Sequence, residues 1–222
     1  YPCMQAADIF HLEADIAQLG MDQRKVNVLA REIGPTLGYW KPVAVHHHML
    51  MGLTPPAATQ ESQAGQNPNG PNGPGEAASE ASEGKINKTI AMKMSKSNPA
   101  SAIFMTDSKE EISRKMNRAY CPEKSTEDNP VLEYCKYMVF EKLREKKGRA
   151  FEVERSAKFG GNVAYNSYPE LENDFAAGKL HPMDLKATSA NYIDQLIEPV
   201  RVHFEKNAKA KKLLEELRVE LG

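Results

Sequence analysis

The sequence predicts an α/β chain in two parts, a small unit in which helices alternate with strands and a mainly helical remainder. Three observations carry this. Before residue 54, apolar positions at helical spacing flank two short runs suited to strands. From about Thr54 to Gly84 the apolar pattern vanishes altogether. Beyond it, helix-start signals recur ahead of apolar stripes of period 3.6.

The elements follow in order. Met4, Ala7, Ile9, Phe10 and Leu12 are spaced as on a partly buried helix from Pro2 to Leu12. Ala14 to Leu19 suits a short strand, Gly20 a turn, and Asp22 the start of a helix whose stripe is Val26, Leu29, Ala30 and Ile33. Gly34-Pro35 stops that helix. Val43 and Val45 suit a short parallel strand running into His46-His47-His48-Met49-Leu50. Thr54 to Gly84 is rich in Pro, Gly, Asn, Gln, Ser, Ala and Glu, cannot bury a core, and is expected to be a disordered surface insertion.

After the insertion, Ala102-Ile103-Phe104-Met105 reads as an apolar docking segment, and Ser108-Lys109-Glu110-Glu111 as a capping box opening a helix to about Tyr120. Asn129-Pro130 is a cap followed by a first-turn proline, with Leu132, Cys135, Met138 and Val139 as the buried face. Phe151 and Val153 suit a short extended piece. Ser167-Tyr168-Pro169-Glu170 is a second capping box, closed by Gly178. Pro182 opens a long helix carrying Leu185, Tyr192, Ile193, Leu196 and Ile197, which Pro199 is expected to kink or end. A last amphipathic helix carries Leu213, Leu214, Leu217 and Leu221 on one side.

Composition narrows the function classes. The chain has 222 residues, enough for one large domain or two modest ones. Its 29 basic residues balance 30 acidic ones, so any nucleic acid must be met by local patches and not by a global field. Cys3, Cys121 and Cys135 form no CxxC pair, which fits a reducing, cytoplasmic setting. No long apolar run suggests a membrane span or a secretory signal. Tyr1 is not a methionine and opens directly in functional-looking sequence, so a portion of a longer polypeptide is expected.

Three groups of residues carry chemistry. Lys93-Met94-Ser95-Lys96-Ser97 reads as a mobile anion clamp, because lysine is a point charge on a flexible stem that follows a polyphosphate as its charge moves. Tyr1, Gln5 and Asp8 lie at helical spacing and make one polar stripe. Asp22 and Gln23 stand at a strand-to-helix turn, where small ligands meet backbone donors in α/β folds. His46-His47-His48 tempts a metal assignment. Three consecutive histidines on a strand cannot face one ion, so no metal site is expected.

Together these strings resemble the class I aminoacyl-tRNA synthetases, and within them the tyrosyl-tRNA synthetases of the archaeal and eukaryotic type. Lys93 to Ser97 is similar to their KMSKS signature. The resemblance also takes in Tyr1-Pro2-Cys3-Met4-Gln5 through Asp8, Gly20 to Lys25, Ala119-Tyr120-Cys121-Pro122, Phe159-Gly160-Gly161-Asn162 and His181-Pro182-Met183-Asp184-Leu185-Lys186, leaving only Thr54 to Gly84 outside. It implies the second half of a class I Rossmann-type nucleotide fold over residues 1–106 and a mainly α-helical anticodon-binding domain over 107–222.

The resemblance also implies roles. Positions matching Tyr1, Gln5 and Gln23 hold the α-amino group of L-tyrosine, and the one matching Asp8 accepts a hydrogen bond from the phenol. A buried carboxylate awaiting a hydroxyl is left unpaired by phenylalanine, a rejection for which tyrosyl-tRNA synthetase is itself the standard illustration. Asp22, His46, Met49, Leu50 and Met94 fall beside ATP, with Met49 to Leu53 around adenine. Where many archaeal members have Asn-Pro this chain has histidines, and His47 and His48 receive no role. Lys93, Lys96, Ser95 and Ser97 match the loop that stabilises the departing pyrophosphate, with Mg2+ accompanying ATP. Phe159, His181, Pro182, Met183 and Asp184 match anticodon contacts, an aromatic stacking on a base and a carboxylate reading its edge.

The expected partners are tRNA(Tyr), L-tyrosine and ATP, with a homodimer in the full-length enzyme and no membrane. A HIGH-like motif is not among these residues, so this segment alone is expected to hold half an active site. The alternatives are a tryptophanyl-tRNA synthetase, or a non-catalytic tRNA-binding half of a duplicated or pseudo-enzyme synthetase.

Overall fold

The structure, a computed structural model, describes residues 1–55, 94, 98–145 and 148–221. All but the first two residues of the expected insertion lie outside the described residues, as do Lys93, Ser95, Lys96 and Ser97 of the lysine loop. The described residues form two compact units, one from residues 1–49 and one from residues 50–55, 94, 98–145 and 148–221.

In the first unit, α1 (Pro2–His11) buries Ala6, Ile9 and Phe10 against Val26 and Ala30 of α2 (Arg24–Ile33). Phe10 also stacks on Tyr39 at 4.7 Å and meets the edge of Trp40 at 5.7 Å. Strands β1 (Ile16–Gly20) and β2 (Val43–His47) pair in parallel, with Ile16 opposite Val43 and Gly20 opposite His47. A parallel pair needs a crossover, and α2 supplies it. The helix starts later than the sequence suggests: Met21–Gln23 form a 3-10 turn, and Asp22 lies in that turn. Gly34 closes the crossover because a Cβ there would stand 2.8 Å from the Trp40 carbonyl oxygen.

The second unit is built on helices α3 (Lys109–Arg118), α4 (Pro130–Tyr134), α5 (Phe140–Glu145), α6 (Tyr168–Ala176), α7 (Pro182–Lys206) and α8 (Ala208–Leu221). Its core gathers Ile112, Met116, Leu132, Tyr134, Phe151, Phe175, Leu185 and Ile193. A hairpin pairs β3 (Phe151–Val153) with β4 (Val163–Tyr165) in antiparallel register. The extended piece at Phe151 was legible in the sequence, whereas its partner strand was not.

The caps form with differences. Ser108 accepts from the Glu111 N–H at 3.2 Å, while the Glu111 carboxylate turns to Arg114 instead of closing the box. Asn129 accepts from both Val131 and Leu132. At the second box Ser167 makes no cap bond, and Glu170 instead accepts from the Asn166 N–H at 2.9 Å. Between α4 and α5 the helix widens into a π turn at Cys135–Val139, which places the Cys135 thiol 3.0 Å from the Ser189 hydroxyl in the core.

Pro199 does not end α7, which runs on to Lys206. The proline is exposed, so water reaches the carbonyl left without its N–H partner. Leu213 and Leu217 of α8 are half exposed, so that stripe is less buried than its pattern suggests. The docking segment buries Ala102 but leaves Met105 exposed. No helix among the described residues is long and apolar enough to cross a membrane.

Candidate functional site

The carboxyl ends of β1 and β2 lie side by side, because the register sets Gly20 against His47. Parallel strands bind ligands at this end, where the loops leave the sheet. Gly20 is there for space as well as for the turn. A Cβ on it would stand 2.6 Å from Asp22 Oδ1 and 3.5 Å from Met49 Sδ. The bare backbone therefore lets Asp22 and Met49 converge over the strand end, joining two residues that the sequence placed beside the nucleotide.

His46, on the same strand end, is partly buried, and its Nε2 lies 3.1 Å from Asn27 Nδ2 on α2. Asn27 is itself buried, and its Oδ1 has no hydrogen-bond partner among the described residues. The bond between them fixes the imidazole against α2. Asn27 was not singled out in the sequence, although a lone amide beside Val26 and Ala30 in an apolar stripe was a usable signal. His47 and His48 are exposed.

On α1, Tyr1 caps the helix and is exposed, Asp8 is exposed, and Gln5 between them is partly buried. Gln5 Oε1 is buried without a hydrogen-bond partner among the described residues. A buried amide oxygen in that state favours a donor, and an ammonium is the strongest kind. Gln23, at the head of α2, is partly buried.

In the second unit, Leu50 to Leu53 is held on both sides. The Met51 N–H donates to Glu133 Oε2 at 2.6 Å, and the Tyr134 hydroxyl donates to the Met51 carbonyl at 2.8 Å. The Leu53 N–H donates to Ser101 O at 2.9 Å, and Leu53 O accepts from the Tyr120 N–H at 2.7 Å. Burial holds the Tyr134 phenol protonated far above its usual range, with the charge of Glu133 adding to the effect. Met94 packs partly buried against the same core.

The segment that follows the lysine loop is pinned equally firmly. Asp107 Oδ2 accepts from the Phe104 N–H at 2.9 Å and from the buried Lys115 ammonium at 2.6 Å. That ammonium also lies 4.6 Å from the Phe104 ring centroid. Arg201 donates to the Asp107 carbonyl at 3.1 Å and pairs with Asp194.

Elsewhere on the same unit, Phe159 stands 64% exposed on a short turn, Ala157–Phe159, closed by Gly160 and Gly161 at φ of 93° and 72°. Lys158 lies 5.7 Å from its ring centroid. His181 caps α7, its Nδ1 accepting from the Met183 N–H at 3.2 Å. Pro182 fills the first turn, Met183 is half exposed and Asp184 is partly buried. Arg155 brings the two elements together, donating to Gly161 O at 2.9 Å and to Lys179 O at 2.8 Å. An exposed aromatic ring is chemistry for stacking on a base, and a carboxylate or imidazole for reading a base edge.

Comparison with known proteins follows the same residues. A family model described as tRNA synthetases class I (W and Y) matches residues 1–60 and 87–198. A tyrosine–tRNA ligase of Thermococcus kodakarensis is 42% identical over 99% of this chain and 55% of its own length. Tyrosine–tRNA ligase 1, cytoplasmic, of Arabidopsis thaliana is 43% identical over 98% of this chain and 47% of its own. Among solved structures, tyrosyl-tRNA synthetase complexed with L-tyrosine from Pyrococcus horikoshii superposes with a TM-score of 0.75 at 42% identity, covering 97% of this chain and 55% of that one. The Aeropyrum pernix tyrosyl-tRNA synthetase gives 0.71 at 35% identity, covering 98% and 52%. The chain spans about half the length of the curated relatives it matches.

Proposed function

The chain belongs to the class I tRNA synthetases of the W and Y type, and within them to the tyrosyl-tRNA synthetase family, and from that premise we propose that it serves the attachment of L-tyrosine to tRNA(Tyr) through a tyrosyl-adenylate made from ATP. In this reading residues 1–106 belong to the catalytic domain and 107–222 bind the anticodon. The setting is the cytoplasm, and the full-length enzyme works as a homodimer.

The observation that carries the reading is the buried, unpartnered Gln5 Oε1 on a helix that also presents Tyr1 and Asp8. Tyr1, Gln5 and Gln23 receive the substrate ammonium, and Asp8 receives the phenol hydroxyl. An acceptor without a donor among the described residues matches a substrate that brings one. Asp22, His46, Met49 and Leu50 border ATP, with Met94 beside the lysine loop. Met51 spends its amide and carbonyl on Glu133 and Tyr134.

Two in-line displacements follow. The tyrosine carboxylate attacks the α-phosphate of ATP, which enters with Mg2+, and pyrophosphate leaves. A terminal ribose hydroxyl of the tRNA then attacks the adenylate and AMP leaves. Neither step needs a nucleophile from the protein, so its work is positioning and charge stabilisation. Lys93 and Lys96, with Ser95 and Ser97, follow the pyrophosphate as its charge grows. Phe159, His181, Pro182, Met183 and Asp184 read the anticodon.

The test is tyrosine-dependent exchange of pyrophosphate into ATP by the full-length protein. Gln5→Ala is expected to raise the KM for tyrosine with little change in the KM for ATP. Exchange supported by tryptophan and not by tyrosine, or no exchange with either, would refute the proposal.

A further inference from the structure

We infer that Glu133 and Tyr134 of α4 are positioning residues for ATP, acting through the backbone of Leu50 to Leu53. The inference rests on the reading that places this segment against adenine. Met51, Gly52 and Leu53 are buried, so their backbone groups need partners. Here four successive partners are protein groups: Glu133 and Tyr134 take the two polar groups of Met51, and Ser101 and Tyr120 take those of Leu53.

The chemistry of the Met51 clamp is directional. A carboxylate accepting a backbone N–H at 2.6 Å makes a charge-assisted bond, stronger and shorter than a neutral one. On the other side of the same residue a phenol 1% exposed donates at 2.8 Å, where water cannot replace it. Both backbone groups of Met51 are thus bonded to side chains of α4. The course of the segment on either side follows from the orientation of Met51, and a binding group must be held within about 0.5 Å to be useful. The clamp residues lie 82 and 83 positions away in the chain, so helix α4 sets the geometry of a segment it does not adjoin in sequence.

The experiment uses the full-length protein and three variants: Tyr134→Phe, Glu133→Ala and Glu133→Gln. Equilibrium binding of a non-hydrolysable ATP analogue and of tyrosine is measured by calorimetry, and amide exchange of residues 50–53 by mass spectrometry. Tyr134→Phe and Glu133→Ala are expected to weaken nucleotide binding by about tenfold and to speed amide exchange in this segment, with tyrosine binding unchanged. Glu133→Gln is expected to restore most of the affinity, since its amide oxygen accepts the same N–H. Wild-type nucleotide affinity in both weakened variants, or equal losses for tyrosine and nucleotide, overturns the inference and leaves the proposed function standing. Failure of the wild-type protein to bind the nucleotide overturns both.

Discussion

Replacing Lys115 by methionine keeps the length of the side chain and removes its ammonium from a site only 4% exposed, opposite an Asp107 side chain 11% exposed. Breaking a buried ion pair from one side costs about 3–5 kcal/mol, because the remaining charge has lost its partner. Asp107 keeps the Phe104 N–H at 2.9 Å, which sets the expected loss at the lower end, about 3 kcal/mol. For a chain of this size that is a fall in melting temperature of about 6–12 °C. Asp107→Asn is expected to cost a similar amount, since the nearest other carboxylate, Glu111, lies 3.8 Å from the ammonium. The double variant leaves neither charge orphaned, and its loss is expected to be no larger than either single loss, well short of their sum. Urea unfolding followed by far-UV circular dichroism measures all three. Trp40, the sole tryptophan, belongs to the other unit, so its fluorescence is the wrong reporter. Single losses below about 1 kcal/mol, or additive losses in the double variant, would refute the argument that burial makes this pair interdependent.

Other consequences follow from single residues. Asn129→Ala removes the cap of α4 and the donor to Ser125 O at 3.0 Å, and is expected to cost about 2–3 kcal/mol, read as a lower urea midpoint at unchanged slope. Burial pushes the Cys135 thiol up to about 12 and raises that of Cys121 as well. Neither is expected to react with iodoacetamide in the native protein at about pH 8, whereas both are expected to react in guanidinium; mass spectrometry of the labelled peptides decides. Arg155→Met unties the Phe159 turn from Lys179 and is expected to raise the KM for tRNA about fivefold in aminoacylation, with the KM for tyrosine unmoved.

Legibility in the sequence followed the range of the interaction. Helices α3 and α7 were readable because a serine cap and a first-turn proline act within one or two turns, whereas on α1 only Ile9 and Phe10 of the expected apolar face are buried and Met4, Ala7 and Leu12 are exposed. Strand β4 was missed because Val163 to Tyr165 gains its meaning only opposite Phe151 to Val153. The π turn at Cys135–Val139 was invisible for a similar reason, since its register is settled by what packs against it, Ser189 included. Pro199 looked like a stop, and only the exposure of that face shows how the helix passes through it. Asn27, Glu133 and Arg155 were likewise passed over. Each matters through a partner distant in sequence, namely His46, Met51 and Lys179.

Residue order by itself determined the family resemblance, the type of most elements and the identity of the candidate ligand-facing residues, because short motifs and local periodicity are written in consecutive positions. Tertiary structure alone decided which of those residues meet: Asp22 and Met49 over Gly20, the Met51 backbone between Glu133 and Tyr134, and the Phe159 turn tied to the head of α7. Those meetings depend on hydrogen bonds and close approaches between segments far apart in the chain. Such bonds have a direction and a length that no local pattern encodes.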